Sequence, residues 1–167
     1  LRGPFPAEEI ERFLDTFLYE REAVLVDEIL SLDHEAKRIE ARISAAEPMA
    51  VSRHQRVSPQ HPAHISGAEM IMATGALGGL HAWFFHGCRW DEGWSGFGNR
   101  IHRADFKRLA PIGIPLHLTS VQTRTRVGPK RVVMRLHFEF RQEEHLVYVG
   151  DQSAIFIKGD HPLAPRS

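Results

Sequence analysis

The sequence predicts an α+β fold: one long apolar helix wrapped by a single antiparallel β-sheet of about six strands, with a short helix in front. Three observations predict it. From Gly67 to Phe85 the residues are small or apolar on nearly every face, and a helix that is apolar all round belongs inside a fold. Strand-like patterns lie on both sides of that run. At 167 residues the chain most simply makes one domain, residues 1–167, able to bury a core without metal or disulfide staples.

Residues 7–18 follow Pro6 and place Ile10, Phe13, Leu14, Phe17 and Leu18 at helical spacing behind Glu8 and Glu9, so a short amphipathic helix opens the domain. Residues 1–6 are expected to be a loose end. Ala23–Leu30 is apolar and β-branched, and Arg38–Ile43 alternates Ile39, Ala41 and Ile43 with charged neighbours; the pair reads as a hairpin turned by Ser31–Lys37. Residues 47–66, with three prolines and three histidines and no period, read as a loop that delivers the chain to the long helix. Gly87–Gly98 reads as a glycine-rich turn whose Trp90, Trp94 and Phe97 either line an apolar ligand slot or pack on the helix end.

Asn99–Leu109 reads as a strand ended by Pro111 and Gly113. Leu116–Val127 sets Leu116, Leu118, Ser120 and Gln122 against His117, Thr119, Val121 and Thr123. After a turn at Gly128-Pro129, Arg131–Arg141 sets Leu136, Phe138 and Phe140 against Arg135, His137, Glu139 and Arg141. Glu144–Lys158 closes the sheet, with a bulge expected at Gly150-Asp151 and a loose tail from Gly159. A sheet with free edges invites a second copy, so a homodimer or a dimer of dimers is expected.

Lys and Arg total 21, as do Asp and Glu, so no global basic field draws nucleic acid or an anionic membrane, and neither partner is expected. The Gly67–Phe85 run is long enough to test as a membrane span, but Glu69, His81 and four glycines interrupt it. The single cysteine, Cys88, has no partner within the chain, and the opening residues carry no leader pattern; a cytoplasmic location is the expectation. Most of the 11 histidines are expected on surfaces and strand faces.

The chemistry concentrates where the loop meets the long helix. The first helical amides, at Gly67 and Ala68, carry the positive end of the dipole and suit a carbonyl oxygen, with Gly67 allowing close approach; Ser66 caps the helix. His64, with His61 as second choice, stands where it reaches a water or a substrate proton, or else makes a structural hydrogen bond. Glu69 is a base, an orienting partner of His64, or a charge complement to the dipole; burial would raise its pKa. Thr74 faces the same cavity or bonds back to its own helix. His61 and His64 lack accompanying ligands at convincing spacing, so no metal and no resident cofactor are expected. Arg103, Lys107 and Arg108 meet the phosphates of a substrate arm or form a solvated strand face.

Arg103-Ala-Asp-Phe-Lys-Arg-Leu-Ala-Pro-Ile-Gly113 and Val24-Leu-Val-Asp-Glu-Ile-Leu30 resemble the 3-hydroxyacyl-carrier-protein dehydratases of the hotdog superfamily. Ala7-Glu-Glu-Ile10 and His64-Ile-Ser-Gly-Ala-Glu-Met-Ile71 resemble another hotdog branch, the bacterial type III long-chain fatty-acyl-CoA thioesterases. The resemblance implies a hotdog fold and a substrate carried on coenzyme A or an acyl carrier protein, with phosphopantetheine as part of the substrate. It also implies amide and phenol groups around the thioester in the second branch, and a helix carboxylate in the first. Met72 stands at the carboxylate position; Ser66 and Gly75 stand at the amide positions, Ser58 near one tyrosine position, and Tyr19 near the other. An acyl-thioester hydrolase is the first expectation, a dehydratase-like enzyme the second, and a non-catalytic acyl-binding protein the third.

Overall fold

The computed structural model describes residues 1–159. In chain order the elements are α1 (Ala7–Thr16), β1 (Glu28–Asp33), β2 (Arg38–Ile43), α2 (Gly67–His86), β3 (Trp94–Phe106), β4 (Leu116–Gly128), β5 (Arg131–Gln142) and β6 (His145–Lys158). The six strands form one antiparallel sheet in the order β1-β2-β4-β5-β6-β3. β1 and β3 are its edges.

The sheet curls around α2, as the apolar composition of that helix requires. Leu77, Leu80 and Trp83 of α2 share one buried core with Leu136, Phe138 and Phe140 of β5 and Tyr148 and Phe156 of β6. The phase read from the β5 sequence is the observed one: its even positions from Val132 to Phe140 are buried. Small residues on α2 let neighbours approach; a Cβ at Gly79 would lie 2.6 Å from the Phe17 ring. Gly87, at φ 63°, ends α2 in the left-handed conformation that glycine accepts without cost.

The α1 helix closes one flank. Phe13 meets Trp83 edge-on, with ring centroids 5.4 Å apart. The Trp83 indole N–H donates to Glu9 Oε1 at 2.7 Å, and the same oxygen pairs with Arg89 at 2.8 Å. Trp90 and Trp94 are buried, and Trp90 packs on Trp83, Phe13 and Phe156, while Phe97 lines a cavity.

Several boundaries differ from the sequence expectation. The first hairpin strand pairs from Glu28 rather than Ala23, because Val24 and Val26 are buried on an extended lead-in that no strand adjoins. The edge strand β3 begins at Trp94 and ends at Phe106, so part of the glycine-rich segment is strand and Lys107–Leu109 lie outside it. Its glycines serve packing: a Cβ at Gly96 would lie 2.5 Å from the Phe156 ring. The bulge expected at Gly150-Asp151 falls instead on the neighbouring strand: Gly150 and Asp151 pair in step with Ala104 and Arg103 and with Phe138 and His137, and the extra residue, His102 of β3, stands opposite the Asp151–Gln152 step. Gly150 makes room for the Tyr148 ring, whose Oη would lie 2.3 Å from a Cβ there. Residues 1–6 are docked rather than loose: Arg2 bridges to Glu28, and Phe5 stacks on Phe84 with centroids 4.5 Å apart. The expected loose tail lies almost wholly outside the described residues.

One histidine is enclosed in the core. His81 on α2 is fully buried, with Nε2 2.8 Å from Ser120 Oγ and Nδ1 accepting from the Gln122 amide at 3.1 Å. Burial, reinforced by nearby His86, lowers its pKa to about 3. Because the folded state resists a proton that the unfolded chain accepts near pH 6.5, the contribution is complete above that pH and declines as pH falls toward 3. We expect urea unfolding to show a loss of about 2 kcal/mol from this group between pH 7 and pH 5. His81→Gln should flatten that part of the pH dependence; an unchanged slope in the variant would contradict the assignment.

Candidate active site

The α2 N-terminus is fastened by a carboxylate. Glu69 is buried, and its Oε2 accepts from the Ser66 N–H and Ser66 hydroxyl, both at 2.9 Å, while the Glu69 N–H donates back to Ser66 Oγ at 3.2 Å. Its Oε1 accepts from Val51 N–H at 2.8 Å, Ser52 N–H at 3.0 Å and the Ser52 hydroxyl at 3.2 Å. This is a capping box extended to pin the preceding loop. Burial pushes the carboxyl pKa up, but the hydrogen bonds from Ser52, Ser66 and Val51 outweigh it and the net direction is down. The expectation of a raised pKa from apolar surroundings is therefore corrected: the sequence omits the Val51–Ser52 turn that folds back onto the carboxylate.

His64 is half-buried. Its Nδ1 lies 2.7 Å from the Pro62 carbonyl, which only accepts, so in the neutral ring Nδ1 carries the proton and Nε2 the lone pair. The His64 N–H donates to Gln55 Oε1 at 3.1 Å. His61 is exposed, with its ring centroid 5.1 Å from that of His64. The N–H groups of Gly67 and Ala68 have no hydrogen-bond partner among the described residues. The Phe106 ring packs on Gly67 so closely that a Cβ there would lie 2.9 Å from it.

An apolar cavity lies further along α2. It has a volume of about 390 Å³, between the helix, the start of β3, the inner faces of β5 and β6, and Phe17–Tyr19. Its walls are mostly apolar, among them Met72, Gly75, Phe97, Phe138 and Phe156. Thr74 and Gln152 supply polar groups. Thr74 Oγ1 lies 2.6 Å from the Ile71 carbonyl and 2.9 Å from Gln152 Oε1, and Gln152 Nε2 donates to Tyr148 Oη at 3.2 Å. One N–H of the Gln152 amide is left without a partner among the described residues. Burial pushes the Tyr148 phenol pKa up, so the group stays protonated.

Of the residues singled out in the sequence, Tyr19, Met72, Thr74 and Gly75 line this cavity, while His61, His64, Ser66, Gly67, Ala68 and Glu69 cluster at the helix start. Ala68, Met72 and Gly75 link the two places as an exposed stripe at helical spacing. Arg103 and Lys107 both hold Asp105 Oδ2, at 2.6 Å and 2.9 Å, so neither is a free cation, and Lys107 and Arg108 follow the strand rather than lie on it. Sequence reasoning missed Gln152 and Tyr148. The available signal was the inward face of β6, where Tyr148, Gly150, Gln152, Ala154 and Phe156 set one amide among apolar positions.

No protein-family model matches the sequence, and no curated protein matches it. Solved structures do. Thioesterase HI1161 from Haemophilus influenzae is 20% identical, with 91% of this chain and 93% of that chain covered and a TM-score of 0.56. The dehydratase heterocomplex ApeI:P from Xenorhabdus doucetiae is 13% identical, with 90% and 91% covered and a TM-score of 0.59. The chain has the hotdog fold. A third hotdog neighbour, the fluoroacetyl-CoA thioesterase FlK, is 15% identical, with 72% of this chain and 85% of that chain covered and a TM-score of 0.52. Among the described residues no group of three or more His, Cys, Asp or Glu is placed to hold a metal ion. No described helix is long and apolar enough to cross a membrane.

Glu69→Ala should lower unfolding stability by about 3 kcal/mol or more, since it strands several buried donors. Limited proteolysis of the variant should open the 47–66 loop first. Glu69→Gln, which keeps one acceptor but sets an N–H against Ser66, should fall between; wild-type stability in both variants would contradict the anchoring role.

Proposed function

We propose that this hotdog chain hydrolyses acyl thioesters carried on coenzyme A or an acyl carrier protein, and works as a homodimer. The observation that carries the reading is the apolar cavity beside α2 with one unpartnered amide donor, Gln152, in its wall. An acyl chain occupies the apolar part, and the Gln152 N–H polarises the thioester carbonyl. Among the described residues no carboxylate lines the cavity, and Met72 stands on the helix where a dehydratase would place its acid; this favours hydrolysis over dehydration.

The β3 edge supports the dimer. Within one chain the α2 N-terminus lies against Phe106 at the end of β3, while the cavity lies against Gly96–Gly98 at its start. Antiparallel pairing of two β3 strands about their middle brings the helix start of one copy beside the cavity of the other. Exposed Ala68, Met72 and Ile101 are covered by the same contact. The carbonyl oxygen then sits between Gln152 of one copy and the Gly67 and Ala68 amides of the second. The His64 Nε2 lone pair of that second copy takes a proton from water as the water oxygen attacks. The C–O bond forms, the C–S bond breaks, and the thiolate leaves to be protonated.

Purified protein should release free thiol from saturated acyl-CoA, and Gln152→Leu and His64→Ala should each reduce kcat by about a hundredfold. An enoyl product from a 3-hydroxyacyl substrate without thiol release would overturn the hydrolase reading. Gly75 faces open space, with nothing within 4 Å of a Cβ built there, so Gly75→Leu should fold normally and shift preference to shorter acyl chains. Unchanged chain-length preference in that variant would place the acyl group elsewhere.

A further inference from the structure

The outer face of the sheet, away from α2, carries a concentration of positive charge that the thioesterase reading does not use. Arg124 of β4 stands opposite Arg135 of β5, Arg135 opposite Ser153 of β6, and Ser153 opposite Arg100 of β3. Neighbouring strands lie about 4.8 Å apart, so this single row places arginines over roughly 14 Å. Arg126 and Arg131 flank it, and His102 reaches Ser153 Oγ with Nε2 at 2.7 Å. His102, Arg124, Arg126, Arg131 and Arg135 line a groove of about 560 Å³, and Arg100 stands at the far end of the row.

The charge is uncompensated. Among the described residues the guanidinium groups of Arg100, Arg124, Arg126, Arg131 and Arg135 have neither hydrogen bond nor ion pair. Elsewhere Arg12, Arg21, Arg38, Arg42 and Arg89 each hold a carboxylate. Of the acids beside the row, Glu139 pairs with Arg141, and Asp151 Oδ1 lies 3.2 Å from the His137 ring. Like charges directly opposite on paired strands destabilise a sheet, and Arg124 faces Arg135. The chain is neutral overall, so a basic composition does not account for the cluster.

We propose that this groove binds a small polyanion bearing two or more phosphate groups, of nucleotide size. Guanidinium forks match phosphate oxygens in pairs, and a row of this length accommodates phosphates at separate points. The groove is concave and its volume is that of a small-molecule site, which favours a nucleotide over a nucleic-acid strand or a protein surface. The same chemistry comes from a free nucleoside diphosphate or from the nucleotide head of a coenzyme A thioester. The inference stands whether or not the chain hydrolyses thioesters.

Calorimetric titration of the full chain with adenosine 3′,5′-bisphosphate and with ADP at low salt tests it. We expect one saturable site per chain, weakened about tenfold or more in Arg124→Ser with Arg135→Ser, and also in Arg131→Ser. Without ligand the double variant should melt no lower than the wild type, since a like-charge pair is removed. A rise in KM for acyl-CoA with unchanged KM for acyl-pantetheine would assign the site to the coenzyme head; a change in acyl-pantetheine turnover on adding ADP would assign it to a free nucleotide. No saturable binding, equal affinity in folded variants, or binding of an RNA oligonucleotide that the bisphosphate does not displace would overturn the proposal.

Discussion

A twenty-residue helix without a polar face cannot remain in water, and the need to cover α2 shapes the rest of the fold. The sheet curls because a flat one covers a single side, and α1 closes a flank that the sheet leaves open. Even the glycines follow from this constraint: Gly79 admits Phe17, and Gly96 and Gly150 admit the Phe156 and Tyr148 rings. Where the wrapping is incomplete, beside Met72 and Gly75, a cavity remains. The candidate site is thus the uncovered part of a helix that everything else hides.

The architecture was legible in the sequence because it rests on periodicity. An apolar run from Gly67 to Phe85 and alternation on β4 and β5 are strong local signals, and both hold in the structure. The edges were less legible. Two register shifts in β3, around Gly98 and Ile101, break the alternation that marks a strand, so its beginning read as a turn. Val24 and Val26 carried strand propensity into a segment that finds no partner. At the helix start the residues singled out do lie together, but the environment of Glu69 depended on a turn eighteen residues upstream, beyond any local window. Gln152 meets Thr74 across a separation of 78 residues, and Tyr148 joins them only through Gln152, which no spacing rule detects.

Charge is distributed with equal unevenness. On the α1 side, Arg12, Arg21 and Arg89 are tied to acids, and at the end of β3 Arg103 and the following Lys107 share Asp105. The arginine row of the outer face is left open. A formal sum of zero conceals this separation, because net charge bears on solubility and long-range attraction while recognition depends on which groups lack a counterion.

The two offsets in β3 also limit what can join the edge. Asn99 and His102 have no counterparts on β6, so β3 holds two residues more than the stretch it pairs with. Such a strand is bent and locally out of step, and a regular strand arriving from an unrelated protein loses hydrogen bonds at both places. A second copy, approaching along a two-fold axis, presents the same irregularities in reversed order. In the homodimer proposed above, this edge meets the strand that carries the same two offsets.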